Sequence, residues 1–509
     1  MSTVSKKGSV QGSQIADAEI ELSIYRDGEQ VKVDGAWNFR QFLNGYSITE
    51  SITNSAIQAR FVMTDNAGFS NILTGSEQWK FTIKTVNVDR TYFFRTFAIT
   101  DRARTNQLSD IMIIHATSDE FLKNEVCNVF GHSEVLFGGR KDTSKGTSYS
   151  ATESGTKAEA IVKKLLGSKD YINSPKKVFT DSNESINNHQ FVSPNWRPFD
   201  LIYWLVQRTI RKSKKGGTLQ NGYAFFENAM GYHFKSIDGM IEQANEQSID
   251  DETSFSTGKP KCYKYNWQPK STGDVDEDPF RINSLVFPDE RSYLMGLRHG
   301  SYSGYSIGFD PTTLGNSKVG TDVSKDISND TYRYSNQKLW SKMSHLGKAN
   351  SQNPIKLMDS GVRALLDYPK RVRYTALPNQ IFDPKFKSNP QKNYEQLVEL
   401  QAYQYMRLES LKSIRLQIGI PGNLDLYAGN AVYIEMPSGA IAGEEIQIDK
   451  KYSGRYLIVG VEHESSGDTY STKLMLCKDT LYGKPSSVFN LPGVFEGDPI
   501  FQPLSTNIA

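Results

Sequence analysis

The chain has 509 residues, with 59 Lys and Arg against 57 Asp and Glu, and therefore a formal charge of +2. At roughly 100–200 residues per domain, this length predicts about three to four domains. The near-neutral charge argues against a strongly basic nucleic-acid-binding protein and against a highly charged disordered chain.

The three cysteines, Cys127, Cys262 and Cys477, lie far apart and form no CxxC pair. A disulfide framework is therefore not expected, and the composition suits a reducing compartment. No apolar run approaches the roughly 18 residues of a membrane span, and the polar N-terminus lacks the apolar segment of a signal peptide. We expect residues 1–14 to form a flexible arm.

Residues 15–130 are predicted to form a first β domain. Trp79, Phe81 and Ile83 alternate with polar residues, as in a strand with one buried face. Many short strands with regular turns are typical of a β-barrel or sandwich. A helix-like pattern follows at Ser118–Val126. The predicted strands are Ala18–Tyr25, Gly45–Glu50, Ala56–Thr64, Trp79–Thr85, Tyr92–Thr100 and Asp110–His115.

Residues 131–215 are predicted to form a helical α+β domain. Thr156 and Glu159 have the spacing of a capping box, which predicts a helix that ends at Gly167. A second helix is predicted from Pro198 to Arg211, and the lysines after it are interpreted as compensating the helix dipole rather than as a phosphate or partner site. The two apolar faces are Ala158, Ile161, Val162, Leu165 and Leu166, then Phe199, Ile202, Leu205, Val206 and Ile210.

Two quite different segments follow. Residues 216–242 contain a predicted hairpin, Tyr223–Glu227 with Tyr232–Ile237. Residues 243–370 are predicted to be an irregular inserted domain with a short helix at Gly361–Leu366. Its acidic run Asp274–Asp278 lacks the Gly and the bidentate Glu of a calcium loop, so a solvated loop is favoured. Aromatic and basic residues alternate at Lys261–Lys270, a pattern that could stack single-stranded nucleic acid, but structural aromatics are favoured beside the acidic loops.

Residues 371–485 are predicted to form a second β domain. A helix is expected at Tyr394–Ser410, and four alternating apolar residues predict the strand that follows it. The helix face is Tyr394, Leu397, Val398, Tyr405 and Leu408, the alternating residues are Ile414, Leu416, Ile418 and Ile420, and the further strands are Ala431–Met436, Arg455–Glu462 and Tyr470–Lys478.

The last segment, residues 486–509, has neither a helical nor a strand period. Phe489, Phe495 and Phe501 stand among prolines in this extended apolar tail. Such a tail is expected to dock on its own chain or on a neighbour, and these three residues are our candidate interface residues.

The two β domains have a similar layout, which predicts an internal duplication. A Gly-containing turn precedes Gln78–Ile83 in the first domain and Ala431–Met436 in the second, and a long hairpin follows each. Any two antiparallel β domains can look alike at this level, so coincidence stays an alternative. If the duplication is real, a cyclic trimer presents six equivalent β domains and can join a threefold object to a sixfold one.

The residues of common catalytic and metal sites are missing. None of the seven histidines stands in HExxH, HxH or zinc spacing, and there is no GxSxG or P-loop motif. His115 and His463, near predicted strand ends, are expected to be structural. No catalytic residue, cofactor site or metal site is therefore predicted, although a glycosidase-like carboxylate pair stays open among 57 acidic residues.

Several motifs, in order along the chain, resemble those of a known family. The matching segments are Gly75–Ile83, the helix Trp196–Arg208, the aromatic hairpin Tyr223–Asp238, Asp425–Gly429, Val432–Pro437, Ser453–Ile458 and Tyr470–Leu476. Over most of Ile15–Tyr482 the chain resembles the baseplate central hub proteins of contractile-tailed bacteriophages, the late control protein D-like or tail-tube-like hub family.

This resemblance implies a mainly β fold with α+β parts, in which two tail-tube-like β-barrel domains carry inserted α+β domains. It implies a structural, non-catalytic homotrimer in the virion tail baseplate, assembled in the host cytoplasm. The implied partners are the central spike protein, tail tube or tube-initiator proteins and other baseplate proteins, while DNA passes through the channel without specific binding. The family's second tube domain is discontinuous, so the hairpin Tyr223–Ile237 is expected to join the second β domain.

Three alternatives stay open. The chain could be a hub component of a type VI-like contractile injection system. It could be a tail-associated peptidoglycan hydrolase, which predicts an isolated buried carboxylate with a raised pKa in a groove. It could also be a carbohydrate-binding receptor module, which predicts a shallow pocket lined by aromatic residues.

Overall fold

A computed structural model of the chain supports a description of most, but not all, of its residues. The described ranges are 3–6, 18–33, 38–85, 88–138, 155–181, 185–213, 217–250, 261–274, 277–288, 293–309, 333–347, 352–366, 371–376, 382–442, 445–466 and 469–481. Within these ranges, no helix is long and apolar enough to span a bilayer.

The first β unit contains the predicted strands in an antiparallel sheet. Trp79, Phe81 and Ile83 are fully buried in its core, as their alternation predicts. Thr82, expected on the opposite face, is also buried and shares a 3.0 Å hydrogen bond with Thr91. The strands are β1 (Thr3–Lys6), β2 (Glu19–Arg26), β3 (Glu29–Gln30), β4 (Leu43–Ser51), β5 (Gln58–Asp65), β6 (Gln78–Lys84), β7 (Val88–Asn106) and β8 (Ser109–Ser118).

An α/β segment follows, with its own core between two helices and a hairpin. Ile161, Leu165, Ile202 and Leu205 pack there against Phe225 of the hairpin. The elements are α1 (Asp119–Val126), β9 (Val129–His132), α2 (Ser133–Phe137), β10 (Thr156–Lys157), α3 (Ala158–Gly167), β11 (Val178–Thr180), β12 (Asn188–His189), β13 (Val192–Trp196), α4 (Pro198–Val206), β14 (Ile210–Lys212), β15 (Leu219–Asn221), β16 (Tyr223–Asn228), β17 (Gly231–Ser236) and α5 (Ile237–Glu246).

Two local predictions for this segment are wrong. Glu159 does not cap α3, because its carboxylate accepts hydrogen bonds of 2.7 Å from the backbone N–H and the hydroxyl of Ser185. Helix α4 ends at Val206, so Ile210 and Arg211 lie on strand β14 rather than on the helix. Arg211 is buried there and forms a 2.6 Å ion pair with Glu242 of α5.

The second β unit is assembled from two distant parts of the chain. Its early strands are β18 (Ile249–Asp250), β19 (Cys262–Trp267), β20 (Arg281–Ile282) and β21 (Ser284–Val286). Its later strands are β25 (Ile414–Pro421), β26 (Ala431–Glu435), β29 (Gly454–Ser466) and β30 (Thr469–Lys478), and β27 (Pro437–Ala442) with β28 (Glu445–Ile448) form a separate ribbon.

The region predicted as one irregular insert, residues 243–370, is therefore divided. Strand β19 pairs in parallel with β26, and β21 pairs antiparallel with β25, so residues 261–286 belong to the second unit's sheet. The sequence pattern of these strands was weak because they are short and separated by loops. Tyr263 and Tyr265 are buried in that unit's core, which confirms the structural interpretation of Lys261–Lys270.

The remaining insert is a small sheet with helices. The short helix predicted at Gly361–Leu366 is confirmed as α8 (Ser360–Leu366), and the long helix predicted at Tyr394–Ser410 is confirmed as α9 (Pro390–Leu411). However, the predicted apolar face of α9 is wrong in part: Leu408 is exposed, whereas Tyr403 and Met406 are buried, because α9 packs against α7 and strands β15 and β22. The elements are α6 (Tyr293–His299), β22 (Ser303–Phe309), β23 (Arg333–Ser335), α7 (Asn336–Trp340), α8 (Ser360–Leu366), β24 (Arg371–Ala376) and α9 (Pro390–Leu411).

The two β units have the same strand order. The first runs β4–β5–β8–β7–β6 and the second runs β21–β25–β30–β29–β26, with every neighbouring pair antiparallel. In each, the second strand along the chain pairs with the fifth, and the fourth lies between the fifth and the third. The predicted internal duplication is confirmed at the level of strand order.

The hairpin β16–β17 packs against the second unit, as expected, because Phe226 lies in one core with Ala431 and Leu457. Its strands, however, do not pair with that unit's sheet. Strand β17 pairs in parallel with β11 of the α/β segment, and the N–H of Tyr232 donates to the carbonyl of Lys177 at 2.9 Å. Gly231, at φ +137°, makes this approach possible, because an added Cβ would lie 2.4 Å from the Lys177 oxygen.

We expect Gly231→Ala to destabilise the protein by roughly 2–4 kcal/mol, since both the backbone conformation and the close carbonyl resist a Cβ. Gly167→Ala is the matched control, because no atom lies within 4 Å of the Cβ it would add. Urea unfolding of both variants checks the difference, and equal midpoints would contradict this account of the turn.

Candidate functional site

The two β units are joined by a direct strand pairing. Strand β4 of the first unit pairs antiparallel with β29 of the second, from Ser51 opposite Gly460 to Gly45 opposite Ser466. Leu424 from the second unit also packs in the first unit's core. One sheet therefore runs through both units, and we call this pairing the joint.

A buried ion pair lies at the joint. Glu50 of β4 and Arg90 of β7 are both essentially inaccessible to solvent, with Arg90 Nη1 3.7 Å from Glu50 Oε1. Burial raises the pKa of Glu50 to about 7, although Arg90 and the N–H groups of Ala428 and Ala229 act to lower it. Arg90 also donates to the carbonyl of Leu426 at 3.2 Å, so one side chain of the first unit holds the backbone of the second.

The tip of the hairpin β16–β17 is wedged against the joint. The N–H of Ala229 donates to Glu50 Oε1 at 3.0 Å, and the side-chain amide of Asn228 donates to the carbonyl of Ala428 at 2.9 Å. Although the hairpin's strands pair elsewhere, its tip therefore contacts both units.

A second group of buried charges fastens the α/β segment to the first unit. Lys176 Nζ lies 2.6 Å from Glu120 Oε2 and 2.5 Å from Glu227 Oε1. Burial raises the pKa of Glu227, whereas the pKa of Glu120 is lowered by Lys176 against the effect of burial. Glu227 also accepts from the N–H of Ile57 at 3.0 Å and from the hydroxyl of Ser118 at 2.5 Å.

The two histidines expected to be structural are hydrogen-bonded to neighbouring strands. His463 is fully buried at the joint, where burial lowers its pKa to about 3, and its Nδ1 lies 3.0 Å from the Thr472 hydroxyl. His115 Nε2 lies 2.9 Å from the Thr100 hydroxyl. Across the described part of the chain, no group of three or more His, Cys, Asp or Glu side chains could hold a metal ion.

The candidate interface residues Phe489, Phe495 and Phe501 lie outside the described residues. Glu50 is a buried carboxylate with a raised pKa, which is one property of the hydrolase alternative. It is not isolated in a groove, however, because it has no exposed surface and is bonded to Arg90 and to two backbone N–H groups.

Sequence reasoning missed the joint, but a signal was present. Tyr46, Ile48 and Glu50 alternate on the buried face of β4, as do Arg90 and Tyr92 on that of β7. A charged residue in the apolar register of a strand needs a buried partner of opposite charge. A charge in the apolar alternation of a strand could therefore have identified Glu50 and Arg90 as buried charges from the sequence. It could not have shown that the two residues pair with each other.

No protein-family description and no curated protein sequence matches this chain. Among solved structures, the tail protein from Neisseria meningitidis MC58 matches with a TM-score of 0.46 and 10% identity, over 90% of this chain and 97% of that one. The 43 kDa tail protein of prophage MuSo2 from Shewanella oneidensis matches with a TM-score of 0.44 and 8% identity, over 91% and 98%. The E. coli c3393 protein is a type VI secretion component described as similar to the T4 tail proteins gp27 and gp5. It matches with a TM-score of 0.37 and 8% identity, over 91% of this chain and 79% of that one.

These are tail and type VI secretion proteins. Because every one of these TM-scores lies below 0.5, the matches support no functional conclusion by themselves.

We expect Glu50→Gln to remove part of the pH dependence of stability. A carboxyl whose pKa is raised on folding stabilises the fold most below its unfolded pKa, and this contribution is lost as the pH rises through about 7. Urea unfolding at about pH 5 and about pH 8 should show a smaller decrease for the variant than for the unchanged chain. Glu462→Gln, at the half-buried Glu462 of the same joint, is the control, and an unchanged pH dependence in Glu50→Gln would contradict the assignment.

We expect Lys176→Met to destabilise the protein by about 3–5 kcal/mol, because it leaves two buried carboxylates without a cation. Adding Glu227→Gln should restore part of the loss. Lys123→Met, which removes a partly exposed pair with Asp119, should cost at most about 0.5 kcal/mol. Denaturant titration measures the free energy of unfolding of Lys176→Met, of Lys176→Met combined with Glu227→Gln, and of Lys123→Met. Equal losses for Lys176→Met and Lys123→Met would refute the role of the buried triad.

Proposed function

We propose that the chain is a structural, non-catalytic protein of a contractile-tail baseplate: a homotrimeric hub that adapts a sixfold tail tube to a threefold central spike. The observation that carries this proposal is the repeated strand order of the two β units together with the way they are joined. Three chains supply six equivalent units, which is the number needed to match a sixfold ring with threefold symmetry.

The joint itself indicates how such a ring could close. In the second unit, the last part of β29 extends beyond β26, and there its edge pairs with β4, the first strand of the other unit. In the first unit, β7 likewise extends beyond β6, and among the described residues the equivalent edge from Phe97 onward has no strand partner. The equivalent of β4 is β21, whose edge opposite β25 has no partner strand within the described ranges.

The same pairing between chains would therefore bring β7 of one copy against β21 of the next. Both edges carry exposed apolar side chains, Phe97 and Ile99 on β7 and Val286 on β21 with Phe287 beside it. Sheet extension across chains is a common mode of association, and it would give each copy the same neighbours that each unit has within the chain. The large apolar contact that an obligate oligomer needs could form here.

The channel of this ring would pass DNA without binding it specifically, and the spike, the tube or tube-initiator proteins and other baseplate proteins would dock on its two ends. We place the protein in the virion tail after assembly in the host cytoplasm. We also propose that Phe489, Phe495 and Phe501 anchor the tail of residues 486–509 on a neighbouring chain.

Light scattering of the purified chain, with and without its candidate spike protein, tests the hub. We expect a trimer of about 172 kDa, three times the 57.3 kDa chain, with one spike trimer bound to it. A monomer under both conditions would contradict the proposed function.

Two variants test the edge pairing. Phe97→Asp and Val286→Asp place a charge on either side of the proposed contact and should each shift the mass to that of the single chain. Val135→Asp, at an exposed apolar residue of α2, is the control and should leave the trimer intact. A trimer that both edge variants preserve would support the hub but reject this interface.

A further inference from the structure

Strand β24 forms one edge of the insert's small sheet. The sheet has the order β23–β22–β24, and β24 pairs in parallel with β22 over its whole length, from Arg371 opposite Gly304 to Ala376 opposite Phe309. Among the described residues, no strand lies on the outer side of β24. Every second residue of such an edge strand leaves its N–H and C=O groups without a ladder partner, so the edge can accept a further strand.

The two faces of β24 differ in their chemistry. Arg373 faces helix α9, where its guanidinium lies 3.2 Å from the centre of the Tyr405 ring. Because side chains alternate along a strand, Arg371 shares this face, whereas Val372 and Tyr374 lie on the opposite one. Val372 and Tyr374 are both exposed. The edge therefore offers cations on one face and apolar surface on the other.

Two helices bring further cations to the beginning of β24. The Nε of Arg371 donates to the carbonyl of Arg298, near the end of α6, at 2.7 Å. The hydroxyl of Ser303, the first residue of β22, donates to the carbonyl of Leu366, the last residue of α8, at 2.8 Å. Since β22 pairs with β24, these two helices and β24 meet at one end of the sheet. We call this surface the basic corner, and its cations are Arg298, Lys356, Arg363, Arg371 and Arg373.

The basic corner has an unbalanced charge. The described residues 293–309, 352–366 and 371–376 contain its five cations and one carboxylate, Asp359, whereas the whole chain has 59 Lys and Arg against 57 Asp and Glu. Across the described part of the chain, none of the five cations forms an ion pair with a carboxylate; Arg363, for example, donates to the carbonyl of Lys356 at 2.7 Å. The Asp359 carboxylate accepts from the N–H of Gly361 at 2.8 Å. The corner is thus suited to a partner that supplies carboxylates.

Exposed apolar side chains accompany these cations. Single exposed apolar residues are ordinary on a protein surface, but here several stand on three elements that meet at one end of a sheet. A partner that carried charge alone would leave this apolar surface in water, so the partner is expected to carry apolar residues as well as acidic ones. The exposed residues are Leu294 and Met295 of α6, Leu365 of α8, and Val372 and Tyr374 of β24.

A second copy of this edge and a nucleic acid both fit the surface less well. Pairing of two β24 edges would bring the arginines of one copy beside those of the other, and like charges on neighbouring strands repel. A single-stranded nucleic acid would contact cations and stack on an aromatic ring along one path, but Tyr374 lies on the face opposite to Arg371 and Arg373. An extended peptide uses both faces and the unpaired backbone groups at once.

We propose that β24 is the docking edge for an extended acidic segment of a partner protein, which adds to the insert's sheet as a further strand. Acidic and apolar residues alternate in this segment. The acidic ones lie beside Arg371 and Arg373, and the apolar ones lie beside Val372 and Tyr374. This docking is separate from the pairing of β7 with β21 between copies, so it is expected whether the chain is a monomer or a trimer.

A synthetic peptide in which Glu and Val alternate over about eight residues is the probe, since this slightly exceeds the length of a typical strand. Fluorescence anisotropy of the labelled peptide, titrated with the full chain, should show binding that weakens as the salt concentration rises. A peptide of the same composition with Glu and Val in two blocks should bind at least about tenfold more weakly, because it cannot match the two faces. No binding of the alternating peptide, or equal binding of both peptides, would overturn the proposal.

Hydrogen–deuterium exchange of the full chain locates the contact. The alternating peptide should slow exchange within residues 371–376, because the outward N–H groups of β24 become hydrogen-bonded. Bound peptide that leaves this strand unprotected would overturn the proposal. It would also be overturned by a single-stranded DNA oligonucleotide that displaces the peptide and protects the same strand, since the surface would then belong to a nucleic acid.

Charge reversal tests the basic corner. Arg371→Glu should weaken binding of the Glu–Val peptide at least about tenfold and strengthen binding of a matching Lys–Val peptide. Because Arg371 also holds the Arg298 carbonyl, Arg298→Glu, which changes an exposed side chain, is the second variant if Arg371→Glu does not fold. Arg197→Glu, at a partly exposed arginine that precedes α4, is the control and should leave binding unchanged. Unchanged binding in a folded variant of the basic corner would overturn the proposal.

Discussion

The pairing of β4 with β29 is the constraint on which the rest of the structure depends. Without it, the chain would contain two β units connected through an α/β segment and an insert. With it, one hydrogen-bonded sheet runs through both units, and the position of each relative to the other is fixed at the spacing of paired strands, about 4.8 Å. The proposed adapter role would require this, because an angular error between repeating units accumulates around a ring.

Buried charges make the joint specific rather than merely cohesive. Apolar residues would hold the units together as well or better, since the desolvation of ion pairs often cancels their attraction. Glu50 and Arg90, however, bond to individual backbone groups of Ala229, Ala428 and Leu426, and these bonds are satisfied in one register only. The Lys176 triad has the same effect where the α/β segment meets the first unit.

Sequence periodicity predicted most of the strands and helices, because alternation and helical spacing are local. It predicted Ile414–Ile420 and the buried face of α3 correctly, and it identified the two related β units. It failed where distant contacts decide the outcome. Helix α4 ends at Val206 because the following strand, β14, pairs with β15. The Glu159 carboxylate accepts a hydrogen bond from Ser185 instead of capping α3. Strands β19–β21 are too short to be recognised without the strands that they pair with. The groups that contact Glu50 belong to residues about 40, 180 and 380 positions away in the chain.

The wedge formed by the hairpin tip has a consequence for how this protein can vary. Its contact with Glu50 uses the main-chain N–H of Ala229, a group that every residue except proline possesses. The side chain of the half-buried Met230 can therefore be exchanged with little effect on the contact, whereas Ala229 is buried in the first unit's core and has to stay small. The number of residues in the turn cannot change, because one more or one fewer would carry the N–H away from the carboxylate. Natural relatives that keep this architecture should thus retain a small residue at the position of Ala229 and hold the length of the tip constant.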